Sequence, residues 1–78
     1  MLSNSGGIKF VPKARDEVEI HLNDGRILSG PRNTPVGVFL EALPEAKKAA
    51  FQGAIVNYEL RELTFPISMD SKVQPITL

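Results

Sequence analysis

The chain has 78 residues, of which 42% are hydrophobic and 23% charged, a length and composition that predict one soluble globular domain with a small core. Cysteine is absent, which excludes disulfide bonds, thiolate nucleophiles and zinc–thiolate sites and favours a cytoplasmic protein. Nine basic and nine acidic side chains give a formal net charge of zero, which argues against a dedicated duplex-DNA binder because such binders neutralise phosphates with a basic excess.

The first 15 residues are predicted to be a flexible N-terminal leader, and residues 16–78 to be the folded domain. After Met1 and Leu2 the leader continues with serine, asparagine and glycine, and its start has neither a basic segment nor an apolar core, so it does not match a secretion signal. No apolar run in the chain approaches the roughly 20 residues that a membrane span needs. We therefore expect no membrane partner.

Structure is predicted to begin with a β-hairpin. Residues 17–22 alternate polar and apolar side chains, which is typical of a strand with one buried face. Asp24 and Gly25 follow, and Asp-Gly between strand-like segments is a strong hairpin signal because glycine accepts a positive φ. Residues 26–29 are then the returning strand. The residues expected to face the core of the first strand are Val18, Ile20 and Leu22.

A helix is predicted to start at Thr34 and Pro35, because threonine can cap the first amides and proline loses no hydrogen bond at the first helical position. Pro44 disfavours helical geometry in the residue before it, so the helix should end or kink there. Residues 45–51 are predicted to add a further turn or two. The apolar residues at helical spacing are Val36, Phe39, Leu40 and Leu43.

Three further strands are predicted in the last third of the chain. Residues 54–56 form the first, Asn57 and Tyr58 make a turn, and residues 59–63 return with Leu60 and Leu63 facing inward. The last strand covers residues 73–78. Its regular pairing should begin only at Ile76, since Pro75 removes one hydrogen-bond donor from the ladder.

The predicted order is strand, strand, helix, strand, strand, strand, which indicates an α+β fold. The commonest arrangement with this order is a ubiquitin-like β-grasp roll. We expect a mixed sheet of about five strands, with one helix, kinked at Pro44, packed across one face.

Three segments resemble the TGS domain. They are the hairpin NDGR at residues 23–26, the helix entry TPV at residues 34–36, and AIVNYEL at residues 54–60; Asp70 matches the acidic residue that precedes the final strand of that family. The resemblance covers residues 16–78. The proline and alanine-rich segment after the helix departs from the pattern.

The resemblance implies a non-catalytic N-terminal module of a larger enzyme. Residues 53–63 look most similar to the TGS domain that precedes uridine kinase-like proteins, which phosphorylate nucleosides with ATP. ATP and Mg²⁺ would then belong to the parent enzyme, and this part of it would bind no cofactor. Threonyl-tRNA synthetases and alarmone synthetases also carry TGS domains and are the alternative parents.

Catalytic chemistry is not predicted for these 78 residues. Gly25 and Gly30 have the spacing of a phosphate-binding loop, but Pro31 and Arg32 stand where that loop needs lysine and a hydroxyl. His21 is the only histidine and lies on the polar phase of the first strand. The sequence has no second histidine or cysteine to share a metal ion with it, and no pattern places a serine beside it as a nucleophile. We therefore expect no catalytic residue and no metal site.

Binding is the function that remains, with the parent's catalytic domain, a nucleotide or tRNA as partner. Basic side chains would contact phosphate, and the tyrosine would stack on a base. The alternatives are that these are ordinary solvated charges and that the module docks on another protein through its sheet face or helix. The chain itself is expected to be monomeric. The candidate ligand-binding residues are Arg15, Arg26, Arg32, Lys47, Lys48, Tyr58 and Arg61.

Overall fold

The computed structural model describes residues 7–8 and 16–77. It is an α+β fold with a mixed five-stranded sheet and one short helix, which confirms the predicted fold class. Most of the predicted leader lies outside the described residues. The elements in chain order are β1 (Glu17–Leu22), β2 (Ile27–Pro31), β3 (Thr34–Pro35), α1 (Val36–Glu41), a 3-10 helix (Pro44–Lys47), β4 (Phe51–Val56), β5 (Glu59–Arg61), β6 (Pro66–Ile67) and β7 (Ser71–Thr77).

The main sheet has the strand order β2-β1-β7-β4-β5. The central strand β7 pairs with β1 in parallel, with Ile20 opposite Ser71. It pairs with β4 in the antiparallel direction, with Val73 opposite Val56. Hairpins join β1 to β2 and β4 to β5. Strands β3 and β6 form a separate two-stranded ladder, which the sequence did not predict.

The predicted β1–β2 turn is confirmed. The amide of Leu22 donates to the carbonyl of Arg26 at 2.8 Å, and the amide of Gly25 donates back to the carbonyl of Leu22 at 3.0 Å. Gly25 has a φ of 97°, a left-handed conformation that side chains disfavour. Glycine at this position therefore allows the short four-residue connection between β1 and β2.

The predicted start of α1 is wrong. Thr34 and Pro35 form strand β3, and the helix begins at Val36 without a side-chain cap. The amide of Val36 instead donates to the carbonyl of Phe65, and the amide of Gly37 to the carbonyl of Leu63, both at 2.8 Å. Backbone carbonyls from a distant loop thus satisfy the donors that a threonine cap would otherwise serve.

The prediction of one helix kinked at Pro44 is also wrong. Helix α1 ends at Glu41, and Leu43 has an extended backbone with a ψ of 141°. Pro44 then opens the separate 3-10 helix, as expected from the clash between a proline ring and a helical preceding residue. Phe51, predicted to end the second helical segment, is the first residue of β4.

The core lies between the sheet and α1. The three predicted inward residues of β1 and the four of the helical stripe are all buried, and Ile20, Val36 and Leu40 are fully so. Leu63 packs against this core, but the inward prediction for Leu60 is wrong, since Leu60 is 73% exposed on the other face of the sheet. One face of the sheet is therefore covered and the other is open.

Strand β7 starts two residues earlier than predicted. The prediction that its regular pairing begins only at Ile76 is wrong, because Val73, Gln74 and Pro75 already pair with β4. Pro75 lies opposite Ala54 of β4, while the pairing of β7 with β1 already stops at Val73. Among the described residues, no strand pairs with residue 75 on the side of β7 that faces β1. Proline, which has no amide hydrogen to donate there, therefore fits inside the strand. No helix in the described part of the chain is long and apolar enough to cross a membrane.

Candidate functional site

Arg26, one of the predicted ligand-binding residues, is held by two carboxylates. Its guanidinium donates to both oxygens of Glu45, at 3.1 and 2.6 Å, and its Nε donates to Asp24 at 2.8 Å. These hydrogen bonds keep the pKa of Glu45 at about 2 and lower the pKa of Asp24. Arg26 therefore joins the β1–β2 turn to the 3-10 helix, and two acidic groups compensate its charge.

This ion-pair cluster predicts an acid-dependent loss of stability. The hydrogen bonds from Arg26 lower the folded-state pKa of Glu45 from 4.5 to about 2, so the contribution is complete above pH 4.5 and disappears as the pH falls toward 2. Urea unfolding across this range should show a smaller decrease in stability for Glu45→Gln than for the wild type. Equal pH dependence in the two proteins would exclude this role of Glu45.

Apart from Arg61, the other predicted basic residues that the structure describes follow β2 or lie in and after the 3-10 helix. Arg32 follows β2, and its guanidinium lies 3.9 Å from Asp16. Lys47 ends the 3-10 helix and Lys48 follows it, both exposed. Arg15 lies outside the described residues.

Arg61 also has local partners. Its guanidinium pairs with Glu59 on the same strand and lies 4.6 Å from the centre of the Phe65 ring. The Nε atom of Arg61 is buried and has no hydrogen-bond partner within the described residues. These contacts fix the side chain against the loop between β5 and β6.

Tyr58 occupies an unusual position at the β4–β5 turn. Asn57 and Tyr58 are the two central residues of the turn and both have positive φ, 49° and 74°, which is typical of a type I′ hairpin. Asparagine tolerates this conformation, but the second position favours glycine, and an aromatic residue there is strained. The Tyr58 side chain is nevertheless 81% exposed, so burial does not compensate for the strain.

Hydrogen bonds to strand β7 hold this turn in place. The side-chain oxygen of Asn57 accepts a hydrogen bond from the amide of Lys72 at 2.9 Å, and the amide of Asn57 donates to the Lys72 carbonyl at 2.8 Å. The Lys72 ammonium donates to the Tyr58 hydroxyl at 3.1 Å and lies 5.6 Å from the centre of its ring. Tyr58 and Lys72 are thus joined through the phenol hydroxyl at the sheet surface.

A groove of about 270 Å³ opens beside this pair on the uncovered face of the sheet. Ile55 forms an apolar part of its lining, and His21, whose Nε2 lies 3.0 Å from Glu19, borders it on β1. We call this feature the outer-face groove. Its lining residues are His21, Leu22, Asn23, Ile55, Tyr58, Lys72, Val73 and Gln74.

Of the predicted binding residues that the structure describes, only Tyr58 lines the outer-face groove. The sequence predicts His21 on the polar phase of β1 and does not indicate Lys72 as a binding residue. Both residues are on the polar phase of their strands, which placed them on the open face. Their proximity depends on the parallel register that sets His21 opposite Lys72, and single-strand periodicity carries no information about register between distant segments.

The strain at Tyr58 predicts that glycine at this position stabilises the domain. Tyr58→Gly should raise the free energy of unfolding by about 0.5–1 kcal/mol, because relief of about 1–2 kcal/mol of left-handed strain exceeds the flexibility cost of about 0.5–1 kcal/mol. Tyr58→Phe keeps the strain and is the matched control. A Tyr58→Gly protein less stable than Tyr58→Phe in urea unfolding would contradict this interpretation.

The outer-face groove combines groups suited to a flat ligand with a negative charge. An aromatic ring can stack on a planar ring system, and no carboxylate in residues 16–77 lies within ion-pair distance of Lys72. Amide side chains of Asn23 and Gln74 supply both donors and acceptors. Within the described ranges, no group of three or more His, Asp or Glu side chains is placed to hold a metal ion.

No protein-family model, no curated protein and no solved structure matches the chain.

Proposed function

We propose that this chain is a TGS-type β-grasp domain. The β-grasp arrangement is supported by the parallel pairing of the first strand, β1, with the last strand, β7. Along the chain, the β1–β2 hairpin is followed by α1 and then by the β4–β5 hairpin before β7. The TGS-like segments 23–26 and 54–60 fall on the two hairpins. Asp70 also has a role here, because its carboxylate accepts a hydrogen bond from the amide of Glu19 at 2.8 Å and links β7 to β1.

In this proposal the domain is a non-catalytic regulatory or ligand-binding module of a larger uridine kinase-like enzyme. The assignment of the parent rests on residues 53–63, which span β4 and β5. ATP and Mg²⁺ belong to the catalytic part of that enzyme, which phosphorylates the nucleoside. A threonyl-tRNA synthetase or an alarmone synthetase is the alternative parent.

The ligand-contacting surface of the proposed module is the outer-face groove. The observation that carries this proposal is the exposed Tyr58 with a strained backbone, whose hydroxyl accepts a hydrogen bond from Lys72. Backbone strain at an exposed aromatic residue is retained most readily where its side chain has a binding role. Turn chemistry alone would place glycine at this position.

A nucleotide is the ligand class that these groups fit. Its base would stack on the free face of the Tyr58 ring, and its phosphate would lie near the Lys72 ammonium. Asn23 and Gln74 would offer hydrogen bonds to the edge of the base. The role of the module is then to sense or position a nucleotide for the parent enzyme.

Titration of the domain with uridine monophosphate tests this proposal. Backbone amide shifts are expected at Asn57, Tyr58, Lys72 and Gln74, and Tyr58→Ala should weaken binding by about 1–3 kcal/mol, the usual contribution of a base–aromatic stack. Arg26→Ala is the matched control and should leave affinity unchanged. Shifts confined to Arg26, Arg32 and Lys47 would contradict the outer-face groove as the site.

Protein docking is the second candidate function, with the catalytic domain of the parent as the partner. It is supported by Leu60, which is 73% exposed and lies opposite Ile55 on the open sheet face, giving an apolar contact area beside the groove. Absence of any nucleotide-induced shift up to millimolar concentration would favour docking. Loss of binding to the separately prepared catalytic domain on Leu60→Ser would then support it.

The non-catalytic assignment has its own test. The purified chain is expected to transfer no phosphate from ATP to uridine in the presence of Mg²⁺. Turnover that persists through repeated purification would contradict it.

A further inference from the structure

Strand β2 is the end strand of the main sheet, and within the described residues no strand pairs with its outer side. Two hydrogen bonds at the ends of β2 show which of its residues bond to β1. The amide of Leu22 donates to the carbonyl of Arg26 just before β2, and the amide of Arg32 donates to the carbonyl of Asp16 just after it. Backbone groups alternate sides along an antiparallel strand. Leu28 and Gly30 therefore bond to β1, while the backbone groups of Ile27 and Ser29 point away from the sheet.

Among the described residues, this edge has only part of the usual protection. Edge strands are commonly blocked by lysine, proline or a covering segment. Here Pro31 stands only at the end of β2, and the exposed positions are Ile27, whose side chain is 53% exposed, and Ser29. Within the described residues, the amides and carbonyls of Ile27 and Ser29 thus have no strand partner.

An apolar groove of about 180 Å³ runs beside the edge, between β2 and α1. Val38, on the outward side of α1, is 52% exposed although it is aliphatic. A strand added to β2 would direct every second side chain toward this groove. Its lining residues are Leu28, Ser29, Gly30, Pro31, Thr34, Val38, Phe39 and Ala42.

Charge at one end of the edge indicates the character of the added strand. The Arg32 guanidinium, at the Pro31 end, lies 3.9 Å from Asp16, whose side chain is 92% exposed. This separation is too long for a close hydrogen-bonded pair. A carboxylate of a partner can therefore approach Arg32 at closer range.

We propose that β2 is a docking edge for an extended segment of a partner protein. The segment pairs with the backbone of Ile27 and Ser29, places apolar side chains at alternate positions in the groove beside Val38, and directs an acidic side chain to Arg32. This mode is β-strand addition, in which backbone hydrogen bonds provide affinity and pockets for alternate side chains provide specificity. It uses the edge of the sheet opposite to β5 and does not depend on the outer-face groove.

Hydrogen exchange with a defined peptide tests this proposal. The probe is the blocked peptide TVTVTDE, and its shuffled form TTVVTDE, in which the valines are adjacent, is the control. The probe should slow exchange of the Ile27 and Ser29 amides, while the Leu28 and Gly30 amides, already bonded to β1, change little. Exchange that is unchanged at Ile27 and Ser29 with the probe at saturating millimolar concentration would overturn the proposal, as would equal protection by the shuffled peptide.

Substitutions separate the two components of the site. Val38→Lys and Arg32→Glu should each weaken binding of the probe by about tenfold, whereas Leu60→Lys, the same apolar-to-basic change as Val38→Lys but made on β5, should leave it unchanged. Sedimentation and removal of residues 1–15 test other occupants. Dimerisation through β2, or exposure of the Ile27 and Ser29 amides on removal of residues 1–15, would overturn the assignment to a partner protein.

Discussion

Replacement of Ile20 by alanine is expected to lower the free energy of unfolding by about 2–5 kcal/mol. Ile20 is fully buried on β1, which pairs with β2 on one side and with β7 on the other. The change removes buried apolar surface and leaves a cavity that surrounding strands cannot close. Because the total stability of a domain of this size is roughly 4–12 kcal/mol, a large fraction of the molecules should unfold at moderate temperature.

Ile27→Ala is the matched control for this prediction. It makes the same change one strand away, at a residue that is 53% exposed, and should alter stability by less than about 1 kcal/mol. Urea unfolding followed by far-ultraviolet circular dichroism measures both. Similar losses for the two variants would contradict the assignment of the covered and open faces of the sheet.

Gly37→Ala is expected to destabilise the domain, although alanine is the better helix former. A Cβ at residue 37 would lie 2.9 Å from Leu63 Cβ and 3.0 Å from its carbonyl oxygen. The same carbonyl accepts the hydrogen bond from the Gly37 amide, so the loop cannot move away without losing that bond. Overpacking of this kind costs about 1–3 kcal/mol, which exceeds the gain of about 1 kcal/mol in helix propensity.

Val38→Ala serves as the control on the same helix, because Val38 is half exposed and its truncation creates no close contact. It should change the free energy of unfolding by less than about 0.5 kcal/mol. A stabilised Gly37→Ala protein would show that α1 is not packed this closely against the loop at Leu63.

The parts of the fold that were predicted correctly are those that local patterns determine. Period-two alternation identified Val18 and Ile20 as inward residues, and helical spacing identified Phe39 and Leu40. Gly25 was assigned to its turn because glycine is the residue that a positive φ favours. In each case the determining interaction lies within a few residues along the chain.

The parts that were predicted wrongly depend on distant segments. Thr34 is not a helix cap because the carbonyls of Leu63 and Phe65 accept the first amides of α1. Leu60 was expected inside, but its strand pairs with β4 in a register that places it opposite Ile55 on the open face. No property of residues 59–63 alone distinguishes the two faces.

The candidate site shows the same division. Tyr58 was selected as a turn residue that could stack on a base, and its exposure follows from that local position. Lys72 lies 14 residues away in sequence and reaches Tyr58 only because β7 pairs with β4. Arg26 was selected for its charge, yet Glu45, 19 residues away, holds it in an ion pair. The sequence thus indicated residue types, and the sheet determined their partners.

The ring protons of Tyr58 provide the most direct test of the proposed binding function. Tyr58 is the only tyrosine of the chain, so its ring resonances are assigned without ambiguity. Titration with uridine monophosphate should shift them upfield in a saturable way, because a stacked base places its ring current over the tyrosine. Ring resonances that stay unchanged up to millimolar nucleotide, while the domain remains folded, would contradict nucleotide binding at the outer-face groove.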